Sequence, residues 1–227
     1  MSDPNTAFSN ASALANYAEK TARIVPGLHD LQTMAALLVA EHAPESANVL
    51  VIGAGGGMEL KALAEAHSQW HFVGVDPSQP MLDLAAAALG PLAERVQLHH
   101  GYTDTAPTGP FDAATCLLTM HFVAVEERRS TLKEIHRRLQ PGAPFVMAHL
   151  SFPQAPEERE LWLSRYAAFA VASGVDPENA RKAASAIGAT LPLQSPEREE
   201  ELLEEAGFTN VRLFYAGLAF RGWVARA

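Results

Sequence analysis

The sequence contains one cysteine, Cys116, in 227 residues. A lone thiol excludes an internal disulfide framework and a cysteine-based zinc site. No apolar run approaches the roughly 20 residues that a membrane-spanning helix needs. The first twenty residues lack a basic stretch followed by an apolar one, so no leader is expected and the cytoplasm is the expected location. Basic residues are scarce: 17 Lys and Arg face 26 Asp and Glu, a formal charge of −9. That balance argues against broad nucleic-acid binding, which needs clustered cations against phosphates. What is present is a composition 48% apolar and 19% charged, which is that of a folded chain rather than a disordered one. The length suits one α/β domain over residues 1–227 with a modest insertion.

The hydrophobic pattern sets the fold class. A short helix is expected over Ser12–Lys20 and an amphipathic one over Leu28–His42, stopped by Pro44, together forming a helical lid over about 12–44. Short apolar runs suited to buried parallel strands then alternate with helical segments. The expected strands are Asn48–Ile52, Trp70–Val75, Arg95–His99, Phe111–Leu118 and Pro144–Leu150. The helices between them cover Met58–His67, Gln79–Leu89 (with Ser78 as its cap) and Glu126–Leu139. Two further helices, Glu157–Ser173 and Pro177–Ala186, make a helical insertion after strand five, over about 153–194. Ser195-Pro196-Glu197 then has the chemistry of a helix start. Thr209–Tyr215 and Leu218–Arg226 form a closing hairpin that turns through Ala216-Gly217. Strands alternating with helices at this spacing predict an α/β, Rossmann-like sheet of seven strands with an antiparallel last strand.

The first strand runs into Gly53-Ala54-Gly55-Gly56-Gly57 and then a helix. Glycines serve such a turn in two ways, by adopting unusual backbone angles and by letting a ligand approach the main chain. Alone, the string also suits a tight turn with no ligand. The second strand ends in Asp76, where a carboxylate can accept from both hydroxyls of a ribose. Together they point to a nucleoside-containing cofactor. The loop matches the dinucleotide string GxGxxG only in part, with Met58 at the third glycine position, and no lysine follows it as a phosphate-binding loop would require.

The runs VLVIGAGGG, VGVDPSQPML, LHHGYTD, FDAATCLLTMHFV and IHRRLQPGAPFVMAHLSF resemble, in order and spacing, the class I S-adenosylmethionine-dependent methyltransferases. The resemblance implies S-adenosyl-L-methionine as cofactor. It implies that Gly53, Ala54 and Gly55 pass beneath its methionine portion and ribose, and that Asp76 holds the ribose hydroxyls. Pro77 and Met81 would flank the adenine, Tyr102 and Thr103 would sit at its amino group, and the Leu117 carbonyl would meet the methionine ammonium. His121 and Phe122 would line the mouth, and Arg23 would approach the methionine carboxylate. Two positions depart from the family pattern: Val51 replaces an acid common in the first strand, and Tyr102 replaces an aspartate after Gly101. The flanking segments RIVPGLHDLQTMAALL and QSPEREEELLEEAGFTNVRLFYAGLAFRGWVA are similar to the tRNA wobble-uridine carboxymethyltransferases, which use a carboxylated cofactor recognised by an arginine. Here Ala184 stands at that position, with Arg181 and Lys182 nearby. An uncompensated carboxylate would be costly there, so ordinary S-adenosylmethionine is expected.

Among nine histidines, His121 and His149 follow the carboxyl ends of strands four and five, where ligands bind in such sheets. Each is a candidate general base or a neutral residue shaping the pocket; a base is needed only if the acceptor loses a proton. Trp162, Tyr166 and Phe169 form a stripe that is either core or a lining of the acceptor site, and Tyr17 either contacts substrate or packs the lid. His67, His71, His99 and His100 match neither a helical ligand pair nor a short ligand loop, so no metal is expected. Arg128, Arg129, Lys133, Arg137 and Arg138 are either a tRNA-facing patch or salt-bridge partners of Glu126, Glu127 and Glu134. The acidic run Glu197–Glu205 reads as a solvated helix face. The function expected is methyl transfer to a small-molecule acceptor. The alternatives are a tRNA-modifying (carboxy)methyltransferase, an NAD-dependent oxidoreductase and a cofactor-binding protein without turnover. The sequence is compatible with a homodimer and demands none.

Overall fold

A computed structural model describes residues 16–227. Seven strands form one sheet: β1 Asn48–Ile52, β2 His71–Asp76, β3 Val96–His100, β4 Ala113–Leu117, β5 Pro144–Leu150, β6 Thr209–Gly217 and β7 Phe220–Arg226. Their order is β3-β2-β1-β4-β5-β7-β6. Strands β1 to β5 pair in parallel, while β7 lies antiparallel between β5 and β6. The seven-stranded Rossmann-like sheet with its antiparallel last strand is therefore present. Helices α1 Tyr17–Ala22 and α2 Leu28–Ala40 precede it, and α3 Met58–Ala66, α4 Gln79–Leu89 and α5 Val125–His136 connect its parallel strands. After β5 come α6 Pro156–Ala172 and α7 Pro177–Thr190, then α8 Pro196–Glu205.

Alternation along each buried strand divides the core in two. Val49 and Val51 of β1 join a cluster with Leu31 of α2, Leu60 of α3 and Ala170 and Ala184 of the α6–α7 pair. Leu50 and Ile52 face the other way, toward Leu132 of α5 and Leu203 of α8. Parallel strands buried on both faces explain why these runs are continuously apolar. Each cluster holds one enclosed tryptophan, Trp70 in the first and Trp223 in the second. The third, Trp162 on α6, is half-buried between the guanidinium groups of Arg165 and Arg221, 4.4 and 5.0 Å from its ring centre.

Several expected boundaries move for local reasons. β4 starts at Ala113 because Phe111 leaves the sheet to bridge Leu139. The final hairpin turns at Leu218-Ala219, since Ala216 and Gly217 still pair with Arg221 and Phe220, and Leu218 takes the left-handed angle (φ 52°). Ser195 caps α8 as expected, its hydroxyl accepting from the Arg198 amide at 3.3 Å. The Ser78 side chain makes no such bond at α4; its amide instead donates to Asp76.

The acidic run is not simply solvated. Glu199 of α8 is fully enclosed and accepts a hydrogen bond from Arg128 of α5, also fully enclosed. His149 Nε2 of β5 lies 3.1 Å from the same carboxylate oxygen. Arg128 further donates from Nε to the Val123 carbonyl at 3.2 Å and to the Pro192 carbonyl. Burial pushes the Glu199 carboxyl up, but His149 and Arg128 outweigh it and hold it below the ordinary range. The pair thus pins α5 and α8 beneath the sheet. Glu199→Ala should lower unfolding free energy by roughly 3–5 kcal/mol, because Arg128 is left charged and unpaired. Urea denaturation would read this, and an Arg128→Met/Glu199→Leu double variant should recover much of the loss.

Candidate functional site

The ends of β1 and β2 are tied together. The Gly53 and Ala54 amides both donate to the Val75 carbonyl, at 2.8 and 3.0 Å. Asp76 then accepts from the Gly55 amide at Oδ2 (2.9 Å) and from the Ser78 amide at Oδ1 (2.8 Å). Burial pushes the Asp76 carboxyl up; the two amides and His100 pull it back. Each carboxylate oxygen keeps a lone pair for a further donor. Gly53 has φ 73°, and a Cβ there would stand 1.9 Å from the Thr119 hydroxyl, so only glycine fits. Gly57 opens α3 against α4, where a Cβ would meet the Ala85 Cα at 2.8 Å.

Above this loop lies a narrow cleft with an enclosed volume of about 40 Å³. Gly53, Ala54 and Gly55 line one wall, Leu117, Leu118 and Thr119 another, and Tyr17 and Gln32 come from the N-terminal helices. Leu118 holds the left-handed angle φ 57° with its amide on the Ala148 carbonyl. A bulky residue pays about 1–2 kcal/mol for that conformation, which turns the chain sharply between β4 and the short helical turn Met120–Phe122. Tyr17 packs over Gly56, and burial raises its phenol pKa.

Of the residues singled out from sequence, Tyr17, Gly53, Ala54, Gly55 and Leu117 line the cleft. Asp76 anchors its loop, and the Met81 methyl lies beside Gly55. Pro77 directs its carbonyl to the His100 ring at 2.9 Å. Thr103 is buried, whereas Tyr102 is 62% exposed. The Phe122 ring lies tilted against His121, their centres 4.3 Å apart. Arg23 lies elsewhere, at the seam between α1 and the α6–α7 turn: it pairs with Glu19 at 2.5 Å and reaches the Gly174 carbonyl at 3.5 Å. Trp162 and Tyr166 sit on α6 outside the cleft wall, Tyr166 packing at 6.3 Å from Phe220.

Neither His121 nor His149 is on the cleft lining. The His121 ring is buried and accepts from the Leu150 amide at 3.3 Å, and burial first, then His149 and Arg128, hold its pKa well below the ordinary range. His149 is fully enclosed on the α5–α8 side of β5, beside Glu199 and 5.5 Å from Trp223. Alternation explains the outcome: β5 residues next to one another in sequence face opposite layers, and His149 faces away from α2.

Sequence reasoning missed Glu59. It looks like an ordinary acid in the first turn of a helix, where the dipole favours it. In the structure it is 7% exposed, it lines the cleft, and its Oε1 is enclosed with no hydrogen-bond partner among the described residues. Burial pushes its carboxyl up to about 8, with Thr115 and the Leu117 backbone offsetting only part of that.

Residues 49–142 match the family model described as "Methyltransferase domain". A protein of Chromohalobacter salexigens named carboxy-S-adenosyl-L-methionine synthase is 27% identical over 218 residues, covering 93% of this chain and 80% of that one. A solved S-adenosylmethionine-dependent methyltransferase from Aquifex aeolicus superposes with TM-score 0.61 at 17% identity, covering 97% of this chain and 95% of the other. The methyltransferase SibL in its apo form gives TM-score 0.59 at 17% identity over 88% of this chain, which spans only 56% of SibL. Residues 49–142 are thus similar to a methyltransferase domain, and the fold around them is that of S-adenosylmethionine-dependent methyltransferases. The dinucleotide reading of the glycine loop falls accordingly. The named relative also differs from the wobble-uridine carboxymethyltransferases to which the flanks were likened, since its name describes making the carboxylated cofactor.

The methyltransferase cleft fits this cofactor on its own chemistry: Asp76 offers ribose acceptors, Gly53 leaves a cradle that a side chain would fill, and Glu59 offers an unpartnered oxygen. Asp76→Ala should weaken S-adenosylhomocysteine binding by roughly 100-fold or more, through lost charged hydrogen bonds and a loosened Gly55, as calorimetry would show. Glu59 sets a pH dependence on the ligand-free fold. Its folded pKa lies above the unfolded one, so the unfolded chain gives up this proton first, and stability falls as pH rises from about 4.5 to 8. Glu59→Gln should abolish that slope and stabilise the ligand-free protein at pH 8 by several kcal/mol (on the order of 4). Thermal denaturation of both proteins at pH 5 and pH 8 would check it.

Proposed function

We propose that this chain transfers a methyl group from S-adenosylmethionine to a small-molecule acceptor in the cytoplasm. The observation that carries the reading is the cleft itself, in which the Asp76-anchored glycine loop faces the β4 exit under the cover of Tyr17. Bound there, the cofactor supplies an electrophilic methyl group on sulfur. The protein's part is to hold donor and acceptor in line, which alone can account for a large share of the rate. The α6–α7 insertion packs on the same layer as α2, outside the wall of the cleft.

A tRNA substrate is disfavoured by what has become of the basic residues on α5 and just after it. Arg128 and Arg138 are fully buried, Arg137 pairs with Glu134 at 2.6 Å, and Arg129 lies 4.0 Å from Glu205. The Arg138 guanidinium is spent on Glu134 and on the Asp104, Ala106 and Pro107 carbonyls. Few phosphate-binding cations remain on that face.

A second reading follows from the Chromohalobacter salexigens relative: a carboxylate-bearing co-substrate gives up CO2, its own C–C bond breaking, and the cofactor's methyl carbon loses a proton and bonds that CO2, giving carboxy-S-adenosyl-L-methionine while the co-substrate takes up a proton. Calorimetric titration with S-adenosylhomocysteine, beside NADH, tests the shared premise; tight binding of the former alone is expected, and no binding would end both readings. Mass spectrometry after incubation with S-adenosylmethionine and candidate metabolites separates them. Methyl transfer yields S-adenosylhomocysteine and a methylated acceptor, whereas the second reading yields a cofactor heavier by one CO2.

A further inference from the structure

Glu59 is an expensive residue without an evident structural return. It opens α3 at the edge of the cleft, almost wholly buried, with Oε1 enclosed and unpartnered. The Thr115 hydroxyl beside it is also enclosed without a well-formed hydrogen bond. A buried carboxyl left this way should be neutral or absent unless something brings it a donor. Thr115 and the Leu117 backbone offset only part of that burial, and among the described residues no lysine or arginine lines the cleft, so a charged donor would come with a ligand.

The polarity of the site says which part of the ligand that is. Asp76, with a free lone pair on each oxygen, marks the ribose end. Glu59 lies on the β4 side of the glycine loop, near Leu117, where the amino-acid half would lie. That half carries a carboxylate, which a second carboxyl repels, and an ammonium with three N–H donors, which it attracts. We propose that Glu59 receives the α-ammonium of the cofactor's amino-acid half and so selects ligands that carry it. The inference rests on the cofactor reading of the cleft.

Around Glu59, β4 contributes the Thr115 hydroxyl and the Cys116 thiol, and among the described residues α1 brings Tyr17 and α2 brings Leu28 and Gln32 to the same cleft. Burial raises both the phenol and the thiol, so neither carries charge near neutral pH. Burial also leaves Glu59 largely protonated in the free protein at pH 7. Pairing with an ammonium favours the ionised form, so binding transfers the Glu59 proton to solvent.

Two thioether ligands isolate the effect: S-adenosylhomocysteine, which has the ammonium, and 5′-methylthioadenosine, which lacks the whole amino-acid arm. Both present the same ribose to Asp76, so its contribution cancels between them. With Glu59→Gln, S-adenosylhomocysteine should bind roughly 30-fold or more weakly while 5′-methylthioadenosine changes by less than about twofold. Calorimetry of the unaltered protein in two buffers of different ionisation enthalpy should show close to one proton released at pH 7 with S-adenosylhomocysteine and none with 5′-methylthioadenosine; this arm needs no variant to fold. Equal losses for both ligands, an unchanged S-adenosylhomocysteine affinity, or equal proton release would overturn the proposal. Failure of the unaltered protein to bind either ligand would instead remove the cofactor reading itself.

Discussion

The site depends on one bifunctional carboxylate. Asp76 accepts an amide from the loop after β1 with one oxygen and an amide from the loop after its own strand with the other. In doing so it fixes the distance between two strand–helix connections that would otherwise move separately. Everything at the cleft is referred to that clamp: the position of Gly55, the angle at which α3 leaves the loop, and with α3 the placement of Glu59. A carboxylate held by two backbone donors is also rigid before any ligand arrives, which reduces the ordering that binding requires.

The other layer is held by a different device. Arg128, Glu199 and His149 form a buried polar group under β5, and not all of its atoms are matched: His149 Nδ1 and Glu199 Oε2 lack hydrogen-bond partners among the described residues. Apolar residues of similar volume would be at least as stabilising in such a place. What the ion pair adds is direction, because a guanidinium that also bonds Val123 and Pro192 carbonyls accepts its carboxylate from one side only. The helices of this layer are thereby oriented while the cleft opposite remains free to be built from glycine and loop.

The fold was legible because its determinants are local and periodic. Continuous apolar runs such as NVLVI and PFVMAHL are strands in the structure with the bounds expected, and the glycine loop and Asp76 stand where strand ends place them. What failed to read through is whatever depends on the partner layer. His149 follows a strand toward its carboxyl end, as a catalytic residue would, yet alternation turns it into the α5–α8 layer. Glu199 is one glutamate among several in a charged helix, and only the position of Arg128, 71 residues earlier, makes it internal. Glu59 was invisible for the converse reason: a first-turn acid is ordinary in a helix, and its enclosure comes from β4. Arg23 was aligned to the cofactor, but the nearer Glu19, one helical turn away, takes its guanidinium.

The three tryptophans give the molecule a built-in optical map. Trp70 lies in the α2–α4 layer, stacked at 3.7 Å on His67. Trp223 lies in the opposite layer, its indole N–H on Glu200 at 2.9 Å. Trp162 stands on the insertion between two arginines. Each structural part therefore carries its own fluorophore, with the two enclosed rings emitting toward the blue and the half-buried one accessible to aqueous quenchers. Three single-tryptophan proteins would resolve whether the insertion loosens before the sheet, and whether the two layers come apart together or in turn.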